Sequence, residues 1–205
     1  RVFEEILKER GGIDVLVCNA GIGISGAAEF APEHDYQMQT DVNFNGAVRC
    51  AQAAVPAMRR AGRGKIVFIS SLAAIFPLPF QGFYSATKAA LNAFSDSLGI
   101  ELKPFGIETS AVMLNDVKTD FTKNRRKTAE GDDIYGGRIE ASVSKMERSE
   151  QSGMTPQQVA ETVAKILKRK HLPPHKIVGL SNEFLGFLFL SLIHISEPTR
   201  PRLIS

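Results

Sequence analysis

Short apolar runs alternate with longer amphipathic stretches along the chain. Runs rich in β-branched residues are typical of buried strands, and they cover residues 13–18, 65–70, 107–113 and 176–179. Between them, apolar residues recur at helical spacing. This spacing predicts helices from the N-terminus to Gly11, from Pro32, over 42–58, over 84–103 and from Pro156 to Leu167. Alternating strands and helices predict an α/β fold with a doubly wound parallel sheet.

Polar residues follow two of the predicted strands at the point where each strand ends. Asn19-Ala20-Gly21 follows the first strand, and Ser71 follows the second. In an open parallel sheet, ligands bind beyond the carboxyl ends of the strands. We therefore expect a catalytic hydroxyl at Ser71, although Asn19-Ala20-Gly21 alone is also typical of a plain β-turn.

Tyr84 and Lys88 are four residues apart in a segment of good helix formers, so they lie on one face of a helix. An ammonium beside a phenol favours the phenolate, and we expect Lys88 to lower the pKa of Tyr84 toward neutrality. Such a tyrosine can exchange a proton with a substrate. An isolated match of this kind is more often a pair of surface neighbours, so the hypothesis depends on its context.

Composition and net charge argue against some other classes of function. A chain of 205 residues with 43% hydrophobic content can form one domain with a sizeable core. A net charge of +3 is too small to argue for nucleic acid binding, and the basic run 125–127 is interpreted as a solvated loop.

Cys18 and Cys50 lack the spacing of metal ligands, so we expect no metal site and reduced thiols. No signal peptide opens the chain, and the longest apolar stretch, 184–195, is too short to span a bilayer. These features predict a cytoplasmic protein without a transmembrane segment.

Four motifs occur in a consistent order: Asn-Ala-Gly at 19–21, Asn-x-x-Gly at 43–46, Ser71, and Tyr-x-x-x-Lys at 84–88. As a set they resemble the short-chain dehydrogenase/reductase family, over residues 1–189. The resemblance implies a Rossmann-like fold and hydride transfer between NAD or NADP and an alcohol or ketone. Which of the two cofactors is used stays open.

The resemblance also implies a role for each polar residue. Tyr84 is expected to be the general acid and base. Ser71 is expected to donate a hydrogen bond to the substrate oxygen, so both residues bind substrate. Lys88 is expected to lower the tyrosine pKa and to bind the nicotinamide ribose. Asn43 is expected to bend its helix and hold a proton-relay water through its main chain, although a simple cap is an equal alternative for this residue alone.

Further cofactor contacts are expected from Asn19, Ala20 and Gly21, on the ribose at the adenine side, and from Val117 and Thr119 at the nicotinamide. Two positions depart from the family pattern. Cys18 stands where a second asparagine is usual, and Leu114-Asn115 stands where Pro-Gly is usual.

Both ends of the chain depart from a complete domain. The first residues are already helical, and no glycine-rich turn opens a helix. We therefore expect the N-terminal strands and the glycine-rich turn to be missing, roughly 60 residues or more. Residues 190–205 back-translate to a sequence resembling a sequencing adapter. They are interpreted as a non-native tail, with a genuine amphipathic tail as the alternative.

The remaining expectations concern substrate and assembly. Residues 120–155 are charged and are expected to form a mobile cover over the substrate or a solvated helical insertion. A moderately apolar alcohol or ketone is expected by analogy. The resemblance implies a homodimer or homotetramer through the helices at 42–58 and 84–103, although their apolar positions fit an ordinary core equally well.

Three alternatives compete with an active enzyme. A non-catalytic dinucleotide-binding regulator on the same fold would usually lack the tyrosine or the lysine. A sugar-nucleotide epimerase or dehydratase would need a larger C-terminal domain than follows residue 155. An inactive fragment would bind no cofactor because the phosphate-binding turn is absent.

Overall fold

The computed structural model describes residues 2–178. Its six strands are β1 (Val15–Cys18), β2 (Ile24–Ser25), β3 (Gly64–Ser71), β4 (Ile107–Leu114), β5 (Arg126–Lys127) and β6 (His175–Val178). Its α-helices are α1 (Val2–Arg10), α2 (Glu33–Thr40), α3 (Gly46–Ala61), α4 (Gly82–Leu102), α5 (Phe121–Asn124), α6 (Arg138–Gln151) and α7 (Pro156–Leu167). The tail predicted at 190–205 and the domain limit at 189 lie outside the described residues.

The main sheet is parallel and has the order β1-β3-β4-β6. Gly64 pairs with Ile107 and Ala111 with His175, which fixes the register of the inner strands. Helices cross over between these strands, so the predicted α/β doubly wound architecture is confirmed. The sheet brings the carboxyl ends of β1, β3 and β4 to one edge.

Each face of the sheet has its own core. On one face, α3 and α4 pack Met58, Phe68 and Leu91 together, and Phe94 and Leu98 pack against this cluster. On the other face, α7 packs Val163 and Ile166 against β3, β4 and β6. The apolar stripe of the helix at 84–103 therefore serves the core of its own domain.

Local sequence accounts for the start of α7 and the end of α3. Thr155 forms a capping box with Gln158, and Pro156 occupies the first turn of α7. Gly62 adopts a φ of 66° after α3, a left-handed conformation that glycine tolerates. The capping box therefore determines where α7 begins, and the glycine determines where α3 ends before β3.

A π-helical turn at Asp41–Asn45 separates α2 from α3. The backbone remains right-handed on both sides of it, so α2, the turn and α3 run on continuously. Such turns are frequent at functional sites. This one holds Asn43 at zero exposure beside α4.

Residues 120–155 pack onto the domain, unlike a solvated insertion. A second parallel sheet pairs Ile24 of β2 with Arg126 of β5, and Ile139 and Val143 of α6 are buried. The interpretation of 125–127 as a solvated loop is wrong for Arg125, whose side chain is only 1% exposed. An ion pair with α6 satisfies its charge there.

Candidate active site

Three of the four predicted catalytic side chains, Ser71, Tyr84 and Lys88, converge on one large cavity at the carboxyl edge of the sheet. β3 ends at Ser71, and α4 carries Tyr84 in its first turn and Lys88 in its second. The cavity has a volume of about 1400 Å³ and is lined by all three residues. The strand–loop–helix order therefore brings together groups that are 13 and 17 residues apart in sequence.

Ser71 is placed between the loop backbone and the tyrosine. Its hydroxyl is hydrogen-bonded to the Tyr84 phenol and accepts from the Ala73 amide at 3.1 Å. The amide contact uses a lone pair of the Ser71 oxygen. The hydroxyl proton is therefore free to point toward Tyr84. A carbonyl oxygen seated between these two hydroxyls would meet two donors.

Lys88 is almost fully buried, with 4% exposure. Its Nζ donates to the Ile69 carbonyl at 2.9 Å and lies 5.7 Å from the centre of the Tyr84 ring. Burial lowers the pKa of Lys88 to about 8. The amine therefore sits over the ring face, held by the strand, and keeps its charge at neutral pH.

The expected lowering of the Tyr84 pKa by Lys88 is wrong for this structure. Removal from water by its apolar surroundings raises the pKa of Tyr84, and this outweighs the opposing effects of the Ser71 hydrogen bond and the Arg125 charge. Burial therefore keeps the phenol protonated at neutral pH.

Asn43 braces the site from the π-helical turn. Its Oδ1 accepts from the Ile22 amide at 2.7 Å, and its Nδ2 donates to the Ile22 carbonyl at 3.0 Å and to Thr87 Oγ1 at 3.2 Å. Thr87 in turn donates to the Tyr84 carbonyl at 2.8 Å. The side chain thus ties the loop after β1 to the catalytic helix, while the relay-water role stays a prediction.

The residues predicted to contact the cofactor line the same cavity. Asn19, Ala20 and Gly21 lie after β1, and Val117 and Thr119 lie after β4. A Cβ built at Gly21 would lie 3.6 Å from Lys88 Nζ, an ordinary contact distance, so Gly21 lies directly beside the lysine. The chain after β1 and the amine of α4 therefore meet in the wall of the cavity.

The turn after β4 is fastened to the end of α6 despite its unusual Leu114-Asn115. Ser149 Oγ donates to Asp116 Oδ2 at 2.5 Å, and the Met154 amide donates to the Asp116 carbonyl at 3.0 Å. Val117 also bridges Met154 as a parallel pair. These contacts hold the Val117 segment where the family pattern would use Pro-Gly.

One wall of the cavity is mainly apolar. Its walls include Leu72, Phe76, Leu78, Phe121 and Met146. They come from the loop after β3, from α5 and from α6, so the segment at 120–155 contributes directly to the cavity. Within residues 2–178 there is no helix long and apolar enough to cross a membrane, and no His, Cys, Asp and Glu cluster that could hold a metal.

Sequence reasoning missed two groups in this wall, Arg125 and Glu150. Both line the cavity, and they form a buried ion pair. The two residues are 25 positions apart in a region without strong periodicity. Arg125 was missed because it lies in a basic run that was interpreted as a solvated loop. No local sequence pattern indicated that Glu150 is its partner.

Comparison with known proteins gives a consistent result. A family model described as short chain dehydrogenase matches residues 1–130. The chain is 40% identical over 182 residues to 3-ketodihydrosphingosine reductase of Bacteroides thetaiotaomicron, covering 87% of this chain and 67% of that protein. It is 40% identical over 111 residues to human 17-beta-hydroxysteroid dehydrogenase type 1, covering 54% of this chain and 34% of that protein.

Solved structures with a similar fold also match the chain. A short-chain dehydrogenase from Streptomyces avermitilis superposes with a TM-score of 0.82 at 28% identity, covering 95% of this chain and 70% of that one. The protein ElxO, solved with NADP bound, has a TM-score of 0.68 at 25% identity, covering 86% of this chain and 69% of that one.

Proposed function

Since the chain belongs to the short-chain dehydrogenase family and is an NAD(P)-dependent oxidoreductase, we propose that Tyr84 is the general acid and base of its reaction. When bound, the nicotinamide supplies or accepts the hydride, so the chain has to supply position and a proton. The observation that carries the proposal is the hydrogen bond between Ser71 and Tyr84 at the mouth of the sheet, with Lys88 beneath the ring.

In carbonyl reduction, the Tyr84 phenol gives its proton to the substrate oxygen as negative charge develops there. Ser71 donates a second hydrogen bond to that oxygen and stabilises the charge. Lys88 keeps a positive charge beneath the ring, which favours the phenolate that remains. In alcohol oxidation the same groups act in reverse, and Tyr84 accepts the proton.

The raised pKa of Tyr84 affects the rates of the two directions differently at neutral pH. The protonated phenol that carbonyl reduction needs is the form present near pH 7. Oxidation of an alcohol needs the phenolate and becomes faster as pH rises. A pH profile measured in both directions distinguishes the two dependences.

The proposed cofactor contacts are Asn19, Ala20 and Gly21 on one side and Val117 and Thr119 on the other. Lys88 would hold the nicotinamide ribose, because it lines the cavity beside Gly21. NAD and NADP share this part of the molecule, so calorimetric titration with NADH and with NADPH decides between them.

The proposed substrate is an apolar alcohol or ketone. Leu78, Phe121 and Met146 offer an apolar wall beside the paired hydroxyls. Relatives named as 3-ketodihydrosphingosine reductase, 17-beta-hydroxysteroid dehydrogenase type 1 and retinol dehydrogenase 8 support a lipid-like substrate. A panel of long-chain and polycyclic ketones tests this class against small polar ones.

Assembly and location also remain proposals. We propose a homodimer or homotetramer formed through the outer surfaces of α3 and α4, where Ile100 is 77% exposed. Light scattering of the purified protein measures the assembly. We propose a cytoplasmic location, which fractionation of the source cells would check.

The deciding experiment replaces Tyr84 with phenylalanine in the full-length enzyme. We expect Tyr84→Phe to lose nearly all turnover while still binding NADH or NADPH. Tyr135→Phe is the matched control, since its hydroxyl bonds Glu29 at the surface. Turnover of Tyr84→Phe within tenfold of the wild type would contradict the assignment.

Two other outcomes favour the rival functions. Cofactor binding without turnover of any alcohol or ketone would favour a non-catalytic regulator. A 205-residue chain that binds neither NADH nor NADPH would behave as an inactive fragment.

A further inference from the structure

The buried ion pair between Arg125 and Glu150 lies in the wall of the catalytic cavity. The Arg125 side chain is 1% exposed and that of Glu150 is 12% exposed. Arg125 Nη1 donates to Glu150 Oε2 at 3.1 Å, and Nη2 donates to Oε1. Thr122 Oγ1 donates to the same Oε2 at 2.5 Å. Both carboxylate oxygens are therefore satisfied away from water, which is the arrangement that a buried carboxylate requires.

An aromatic ring connects this pair to the catalytic residue. The Arg125 guanidinium lies over the Phe121 ring, 5.4 Å from its centre. The centre of that ring is 5.9 Å from the centre of the Tyr84 ring. Gly23 closes the other side, since a Cβ there would lie 2.9 Å from Phe121 and 3.3 Å from Arg125 Nε. The packing of Tyr84 on this side thus depends on where the ion pair holds Phe121.

Resting on the proposed role of Tyr84, we propose that the Arg125–Glu150 pair positions Tyr84 through Phe121 and balances the charge beside its phenol. Four polar or charged groups face this phenol. Lys88 comes from its own helix, Ser71 from the end of β3, Arg125 from the segment after α5, and Glu150 from α6. Arg125 and Glu150 are thereby positioning residues, because neither is placed on the reacting atoms.

The charges of the two partners act on Tyr84 in opposite directions. The Arg125 charge favours the phenolate and lowers the pKa of Tyr84, whereas the Glu150 charge opposes the phenolate and raises it. Removing one partner leaves the other uncompensated. A pair that only stabilised the fold would not move the tyrosine in two opposite directions.

The test measures ionisation of Tyr84 directly, without turnover. The chain has three tyrosines, so a Tyr36→Phe, Tyr135→Phe background leaves Tyr84 as the one phenol in an ultraviolet pH titration. We expect Glu150→Gln to move this titration to lower pH and Arg125→Met to move it to higher pH, each by about half a pH unit or more.

The control is Glu140→Gln, which removes an equal charge from an exposed position of the same helix. It should leave the titration unchanged. Shifts of the two pair variants in the same direction, or shifts no larger than that of Glu140→Gln, would overturn the proposal. If Arg125→Met does not fold, Arg125→Lys replaces it under a separate criterion. Lysine keeps the charge but not the planar fork, so we expect little displacement of the titration, and a displacement as large as that of Glu150→Gln would overturn the proposal.

Turnover separates this inference from the proposed function. In the full-length enzyme with its natural tyrosines, Glu150→Gln should lower kcat about tenfold or more through misplacement of Tyr84, with little change in cofactor binding. Unchanged titration and kcat in an active enzyme would remove the inference alone. Opposite shifts in a protein that never turns over would support the charge balance and remove the proposed reaction.

Discussion

Replacing Lys88 with methionine is expected to remove activity and to change stability in a pH-dependent way. Burial lowers the pKa of Lys88 from 10.5 to about 8, so the charged amine costs the folded protein about 3 kcal/mol below pH 8. Methionine removes this cost. It also leaves the Ile69 carbonyl without the donor now at 2.9 Å, a loss of about 1–3 kcal/mol. At pH 7 we therefore expect Lys88→Met to be about as stable as the wild type or about 2 kcal/mol more stable.

The pH dependence of this stability difference is the more specific test, because it arises from the ionisation of Lys88. Below pH 8 the amine is charged in both the folded and the unfolded chain, and the cost is complete. Between pH 8 and 10.5 the unfolded chain binds more protons than the folded protein, so the stability of the wild type rises with pH. Above pH 10.5 both states are neutral and the cost disappears.

Urea unfolding at pH 7 and at pH 9.5 measures this effect. The wild type should gain about 2 kcal/mol relative to Lys88→Met between the two conditions. The exposed Lys103→Met serves as the control for removing a lysine charge from the surface. A difference between wild type and Lys88→Met that is constant with pH would refute the reasoning.

Two further substitutions examine the braces around the site. Thr87→Val removes the buried acceptor of Asn43, and we expect thermal unfolding to show a loss of about 1–2 kcal/mol; an unchanged melting temperature would contradict this. Gly153→Ala would place a Cβ against the Asp116 carbonyl oxygen, so we expect a loss of about 1–3 kcal/mol and weaker NADH or NADPH binding by calorimetry. Gly12→Ala, with nothing within 4 Å of its Cβ, is the control, and equal cofactor affinity in all three proteins would show that the turn tolerates the clash.

The convergence of Ser71, Tyr84 and Lys88 could be predicted because two local rules determine it. Helical spacing places Tyr84 and Lys88 on one face, and strand order places Ser71 at the edge where ligands bind. Neither rule needs tertiary detail. The helix and strand bounds were confirmed for the same reason, to within a few residues.

The sign of the Tyr84 pKa shift could not be obtained in this way. It depends on how far burial outweighs nearby charge, and burial follows from the packing of Phe121 and α6 around the ring. The Arg125–Glu150 pair was missed for a related reason. A basic run on its own predicts exposure to solvent. Only in the folded chain does the Glu150 carboxylate, 25 residues away in sequence, contact Arg125.

The π-helical turn at Asp41–Asn45 has a consequence for where the chain can accept insertions and deletions. Each residue advances a helix by about 100°, so the additional residue in a π turn offsets the face of everything after it. Deleting one position there would restore an ordinary α-helix and rotate Asn43 away from Ile22, or rotate α3 away from its core. Insertions and deletions of a single residue are therefore poorly tolerated in this short stretch, where Asn43 is buried and Phe44 packs against the core.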